Sequence, residues 1–330
     1  LHMLAKIEEI AGNQNYEFAD MLAGVSAGAV ISGLIAGGKR PARRVFKNYR
    51  DWCKVIFKPR LFATPITNIP VFSLCEARQS LELVLGNITL KESVLQSDVD
   101  LCLPTLDVYN ASGVFQTCIK DVDGKIVGPY QNILTRAAIE TSGSFPPYFS
   151  PVERFVDGGI GLSQNPSILA LQAATELAPD KYKSDKMTII SLGSGTYSNF
   201  IPLKLLDLVQ SLSLFLPTGL FWLQYYMSSA WGNGVSELAS LLMRNNNLFP
   251  DLDYRRFQMT FDLDTILKLQ DAKIKPVLVG WDPFMPSLPS FGIVARRLHD
   301  MTPNDIAKLI VFQVPYFNIM SRIGRQMTRY

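Results

Sequence analysis

The chain has 330 residues, of which 48% are hydrophobic and 18% charged, with a formal net charge of +3. That length and apolar share suit one large domain or two smaller ones with a sizeable buried core. The charge is weakly positive and no basic block is interleaved with aromatic residues, which excludes nucleic acid as a partner. Apolar residues at 1, 4, 7 and 10, with Glu8 and Glu9 outward, predict an amphipathic helix over 1–11. A strand-like run near 21–24 follows, then a helical pattern over 27–37. Further helical patterns lie at 42–54, 73–85, 130–141 and 166–178, and strand-like runs at 99–108, 113–119, 152–157 and 187–193. Asp121-Val-Asp-Gly124 reads as a hairpin turn joining 113–119 to 125–127, with that pair at a sheet edge. Alternation of this kind argues for an α/β fold, a largely parallel sheet with helices on both faces.

Two short motifs carry chemistry. Gly24-Val-Ser-Ala-Gly28 is a Gly-x-Ser-x-Gly pattern between a strand and a helix, the context of a nucleophile elbow. Gly24 and Gly28 are expected to be needed because side chains beside so sharp a turn would clash. The helix that starts at Ser26 turns its free N–H groups and positive dipole end toward any anion formed there. A serine hydroxyl is a poor nucleophile until a base takes its proton. The chain has two histidines. His2 is at the start. His299 sits beside Asp300 in a charged segment before a helix start; the order Ser…Asp…His suits a triad, and a solvated histidine is the plainer reading. The carboxylate alternative is Asp157, in Phe155-Val-Asp-Gly-Gly159. Its apolar pair ends a strand, and Gly158 and Gly159 let the carboxyl approach another group closely. The plain alternative is an ordinary Asp-Gly turn.

Together these motifs resemble the patatin-like phospholipase family, which uses a Ser–Asp dyad and no histidine. Arg136-Ala-Ala-Ile-Glu-Thr-Ser-Gly-Ser-Phe-Pro-Pro-Tyr-Phe149 resembles the family segment before its aspartate. Asp157-Gly-Gly-Ile-Gly-Leu-Ser-Gln-Asn-Pro166 resembles the Asp-Gly-Gly/Ala segment with its following Asn-Pro. Met187-Thr-Ile-Ile-Ser-Leu-Gly-Ser-Gly-Thr196 resembles a late core strand and its glycine turn, and Leu101-Cys-Leu-Pro-Thr-Leu-Asp-Val an earlier strand. The order and spacing agree over roughly residues 1–200. The resemblance implies a serine lipid acyl hydrolase, phospholipase A- or lysophospholipase-like, that cleaves phospholipid or other fatty-acyl esters through an acyl-enzyme. It implies Ser26 as nucleophile, Asp157 as base, and no metal or other cofactor. One departure stands out. The family opens with a strand and a Gly-Gly-Gly-x-Arg/Lys-Gly loop that supplies oxyanion N–H groups. Residues 1–10 instead resemble the helix after that loop, so the strand and loop are expected to be missing from this sequence. That gap favours a catalytically silent lipid- or protein-binding module as one alternative; a Ser–Asp–His esterase using His299 is the other.

The resemblance implies a catalytic core over 1–200; the composition changes after Phe200, and 201–330 is expected to be a helical C-terminal part packed on that core. Residues 208–236 carry no charge. Pro217-Thr-Gly219 breaks this stretch, which reads as a buried helix pair, a membrane span, or a lipid-facing surface with Phe221, Trp222, Tyr225 and Tyr226 at headgroup level. Peripheral membrane contact follows from the last reading. Lys39-Arg-Pro-Ala-Arg-Arg44 is the densest basic run, a solvated loop or a contact for anionic headgroups. Prolines at 276, 283, 286 and 289 mark an irregular loop, and Thr302-Pro303-Asn304-Asp305 a helix start. Cys53, Cys75, Cys102 and Cys118 have neither metal spacing nor a short disulfide framework. Cys102 and Cys118 lie in apolar runs as buried thiols, which suits a reducing compartment. The expected location is cytoplasmic or peripheral to a membrane; the incomplete start leaves secretion open.

Overall fold

The computed structural model describes residues 1–57, 60, 70, 72–146, 148–162, 164–183, 187–193, 196–197, 232–258 and 260–261. The described residues fall into two compact units, one holding 1–192 and 235–257, the other 193–234 and 258–323 where these are described. In the second unit, β7 (Thr196–Tyr197) pairs parallel with β9 (Thr260–Phe261).

The first unit opens with α1 (His2–Ala11), which ends at Gly12 in the left-handed region, φ 73°. Glu8, expected outward, is buried. Its carboxylate accepts the Asn15 N–H and side-chain amide and, at 3.0 Å, the Ala42 N–H. Ala42 begins α4 (Ala42–Ile56), whose first N–H groups have no partner within the helix, so Glu8 caps that helix from outside. Between them lie α2 (Asn15–Phe18), β1 (Met21–Ala23) and α3 (Ala27–Ala36). Ala29, Leu34, Ile35 and Ala36 of α3 are all essentially buried, so the second half of this helix is enclosed on every side, as its apolar composition requires.

After α5 (Leu74–Leu85) comes α6 (Leu90–Ser97), a helix that the periodicity reading passed over. Its signal was present. Thr89 accepts the Glu92 N–H, and Glu92 accepts the Thr89 N–H, a complete capping box. The next helix, α7 (Thr135–Gly143), starts five residues later than the sequence pattern suggested. The backbone before it pairs sideways instead: Leu90 N–H donates to Ile133 and Lys91 N–H to Gln131. Glu140 ties α7 to α5, taking a forked contact from Arg78 at 2.9–3.2 Å.

The central strand is β2 (Asp100–Asp107), buried along nearly its whole length. β3 (Ser112–Lys120) lies antiparallel on one of its edges, and β4 (Ile126–Val127) closes the sheet beyond β3. The turn between β3 and β4 is held by the Asp121 carboxylate, which accepts the Asp123 and Lys125 N–H groups, so the expected edge hairpin is present. On the other edge of β2 lie both β1, parallel, and β5 (Phe155–Asp157), antiparallel. Next come α8 (Gly158–Gly161) and α9 (Ser167–Leu177). A second sheet pairs β6 (Thr188–Leu192) parallel with β8 (Asp253–Phe257), and α10 (Gly232–Met243) precedes β8. The fold is α/β with helices covering a central sheet. The described pairings are mixed, β2–β3, β2–β5 and β3–β4 being antiparallel: short turns join β2 to β3 and β3 to β4, and the chain comes back to β2 as β5 after α7. Among the described residues no helix is long and apolar enough to cross a membrane.

Candidate active site

Strand β1 climbs the free edge of β2 and ends at Ala23, opposite Cys102; the next amide, Gly24, donates to the Cys102 carbonyl at 3.1 Å. Strand β5 descends the same edge from the other end and stops with Asp157 opposite Thr105. Three residue steps along β2, from Cys102 to Thr105, separate the two ends, about 10 Å at strand rise. The turns after β1 and β5 therefore face each other across that gap.

The first turn carries Ser26 with φ 56° and ψ −124°, a conformation costly for any residue with a side chain. It is the geometry of a nucleophile elbow. Gly24 is demanded by contact, since a Cβ there would sit 2.1 Å from the Gly28 carbonyl oxygen. Gly28 is not. A Cβ at that position would meet nothing within 4 Å among the described residues, so of the two elbow glycines these residues sterically require Gly24 alone. The Ala27 N–H, first in α3, has no acceptor among the described residues.

The second turn holds Asp157, fully buried. A Cβ on Gly158 would come 2.5 Å from the Pro104 carbonyl oxygen, so glycine lets this turn close onto β2. Gly159 donates its N–H to Asp157 Oδ1 at 2.7 Å. Burial pushes the Asp157 carboxyl up to about 6; the Ser26 hydroxyl and the Gly159 N–H act in the opposite direction. Oδ2 has no hydrogen-bond partner among the described residues. Ser26 thus lies close enough to the carboxyl to favour its ionised form. Such contacts commonly tighten only when substrate binds.

Neither turn floats. The Ser26 N–H donates to the Ser142 carbonyl at 3.1 Å, and the Asp157 N–H to the Ser144 carbonyl at 3.0 Å. Ser142, in the last turn of α7, and Ser144, just past it, therefore hold both turns. Sequence reasoning included them in the segment before the aspartate but gave them no role. A backbone carbonyl leaves no sequence signature of what it accepts. His2 packs its ring on Phe46, centroids 4.3 Å apart. His299, Asp300 and the aromatic residues Phe221, Trp222, Tyr225 and Tyr226 lie outside the described residues.

A family model described as patatin-like phospholipase matches residues 3–171, just over half of the chain, and both turns fall within it. A comparison with curated proteins gives no match.

Proposed function

Because the chain belongs to the patatin-like phospholipase family, we propose that it hydrolyses fatty-acyl esters of phospholipid or related lipids with Ser26 as nucleophile and Asp157 as general base. One observation carries the reading: a strained serine and a fully buried carboxyl, one of whose oxygens has no partner among the described residues, face each other along one edge of β2. Ser26 Oγ attacks the ester carbonyl carbon while its proton passes to the Asp157 carboxylate. The tetrahedral intermediate collapses, the C–O bond to the alcohol breaks, and Asp157 returns the proton to the departing alkoxide. Water then attacks the acyl-enzyme, giving its proton to Asp157. Collapse breaks the bond to Ser26 Oγ, which recovers that proton as the fatty acid leaves. The Ala27 N–H, without an acceptor among the described residues, and the dipole of α3 suit the oxyanion of both intermediates. The open space at Gly28 leaves room for an acyl group beside them.

An ordinary aspartate, with pKa about 3.9, is a feeble base. Burial raises Asp157 toward the working range, and kcat/KM falls as pH drops below about 6, where the carboxyl takes its proton. The test uses the full chain on a short p-nitrophenyl ester and on phosphatidylcholine vesicles, with fluorophosphonate labelling. Ser26→Ala abolishes labelling, and both Ser26→Ala and Asp157→Asn lower kcat by about 10³-fold or more. Unimpaired turnover in either variant refutes the dyad.

A further inference from the structure

Ser142 reaches Ser26 with more than its carbonyl. It is fully buried near the end of α7, and its hydroxyl donates to the Pro104 carbonyl of β2 at 2.6 Å. The same Oγ takes a second share of the Ser26 N–H at 3.3 Å. One hydroxyl thus joins the backbone of β2 to the backbone of the elbow. The oxygen it binds, on Pro104, is the one against which Gly158 packs on the Asp157 side. Pro104 therefore serves as a common reference for both turns.

Ser26 needs such a restraint. A residue held at φ 56° is strained and keeps that conformation only if its surroundings impose it. Both acceptors of its N–H belong to Ser142. The rest of the support is rigid as well. Thr105, beside Pro104, donates its hydroxyl to the carbonyls of Thr141 and Val156, joining β2, α7 and β5. Thr141 in turn donates to the side-chain oxygen of Gln116, whose amide caps the Leu103 and Ala138 carbonyls. The end of α7 is fixed to the sheet from several directions, and Ser142 passes that fixity to the nucleophile.

We infer that Ser142 is a positioning residue for the nucleophile, its hydroxyl holding the Ser26 turn at the separation from Asp157 that proton transfer requires. The inference rests on the assignment of Ser26 as nucleophile. A serine that merely satisfied the Pro104 carbonyl would matter for stability alone, and the two roles give different kinetics.

The experiment compares the full chain with Ser142→Ala, Ser142→Cys and Ser93→Ala. Ser93 is an equally buried serine whose hydroxyl bonds Thr135 Oγ1 at 2.7 Å, away from both turns. Steady-state hydrolysis of p-nitrophenyl butyrate is followed from pH 5 to 9, with urea unfolding of each variant. Ser142→Ala lowers kcat about tenfold or more, with KM within about twofold and the acid limb of the pH profile unmoved, because loosening the nucleophile slows attack without touching substrate binding or Asp157. Ser142→Cys, whose thiol is a weaker donor and acceptor, falls between Ser142→Ala and the parent. Ser93→Ala loses stability on a similar scale and keeps its kcat. Should Ser142→Ala not fold, the cysteine variant decides: a lowered kcat at constant KM supports the inference, and parental kcat overturns it. An equal loss in Ser93→Ala, or a loss accompanied by a shifted acid limb, also overturns it, since general loosening of the core would then be the cause. Undiminished turnover in Ser26→Ala removes the nucleophile assignment and this inference with it, whereas loss in Ser26→Ala with parental Ser142→Ala kinetics removes the inference alone.

Discussion

Asp157→Asn should inactivate the protein and stabilise it. The buried carboxyl is pushed up to about 6 against an ordinary value of about 3.9. A carboxyl whose folded pKa exceeds its unfolded value binds its proton more tightly in the native state. It favours folding in full below about pH 4 and loses that contribution as pH rises through about 6. The gap is about 2 pH units at about 1.36 kcal/mol each, so the ionised carboxylate costs the fold about 3 kcal/mol at pH 8. Asparagine keeps the shape and an oxygen for the Gly159 N–H, and carries no charge to desolvate. Urea denaturation of both proteins at pH 4 and pH 8 checks this. The stability difference, asparagine variant minus parent, grows by about 2 kcal/mol from the lower to the higher pH, most of the gap being crossed in that window. A difference that stays constant across the window refutes the claim that burial dominates at this carboxyl. Loss of activity combined with gain of stability would mark Asp157 as a residue held at the expense of the fold.

The elbow glycines should separate cleanly: Gly24→Ala forces a Cβ to 2.1 Å from backbone and costs more than about 2 kcal/mol, while Gly28→Ala, opening into free space within a helix, changes stability by less than about 1 kcal/mol. Urea midpoints of the two variants test this, and similar losses in both would contradict it. The four thiols are free, and at pH 8 only Cys75, which is exposed, should react rapidly with a disulfide reagent. Burial pushes Cys102 up to about 11 and Cys53 and Cys118 up to about 12. A fast phase of more than one thiol, or one that survives Cys75→Ser, would be inconsistent with that burial.

The elements that depend on local signals were legible in the sequence. The elbow stood out because strand, glycine turn and apolar helix follow each other within twenty residues, and the edge hairpin because Asp121 and Gly124 specify its turn. The capping box at Thr89 and Glu92 was equally readable, though hidden by a helix only eight residues long. The inward turn of Glu8 was not readable. Periodicity placed it outside, whereas its carboxylate turns in to take donors from Asn15 and from the distant start of α4, thirty-four residues on. The same limit applies to the site. The sequence contains Ser26 and Asp157 as motifs 131 residues apart, but the groups that register them against each other are backbone carbonyls of Ser142, Ser144 and Pro104. Any residue type supplies a carbonyl, so no pattern announces it.

The direction of β5 is where fold and proposed chemistry meet. Two strands sharing one edge of β2 must lie end to end. Because β1 runs parallel to β2 and β5 antiparallel, their C-terminal ends point at each other. Had β5 run the other way over the same residues of β2, Asp157 would stand opposite Asp107 instead of Thr105, about 7 Å farther from the elbow. That exceeds the reach of a direct proton transfer. The antiparallel pairing is thus what lets two glycine turns converge, and their convergence also dries the site. Gly158 closes onto Pro104, and a side chain there would also press on Val25 of the elbow. The contact that brings the carboxyl to the serine is the contact that excludes water from it, so proximity and the raised proton affinity of Asp157 have a single structural cause.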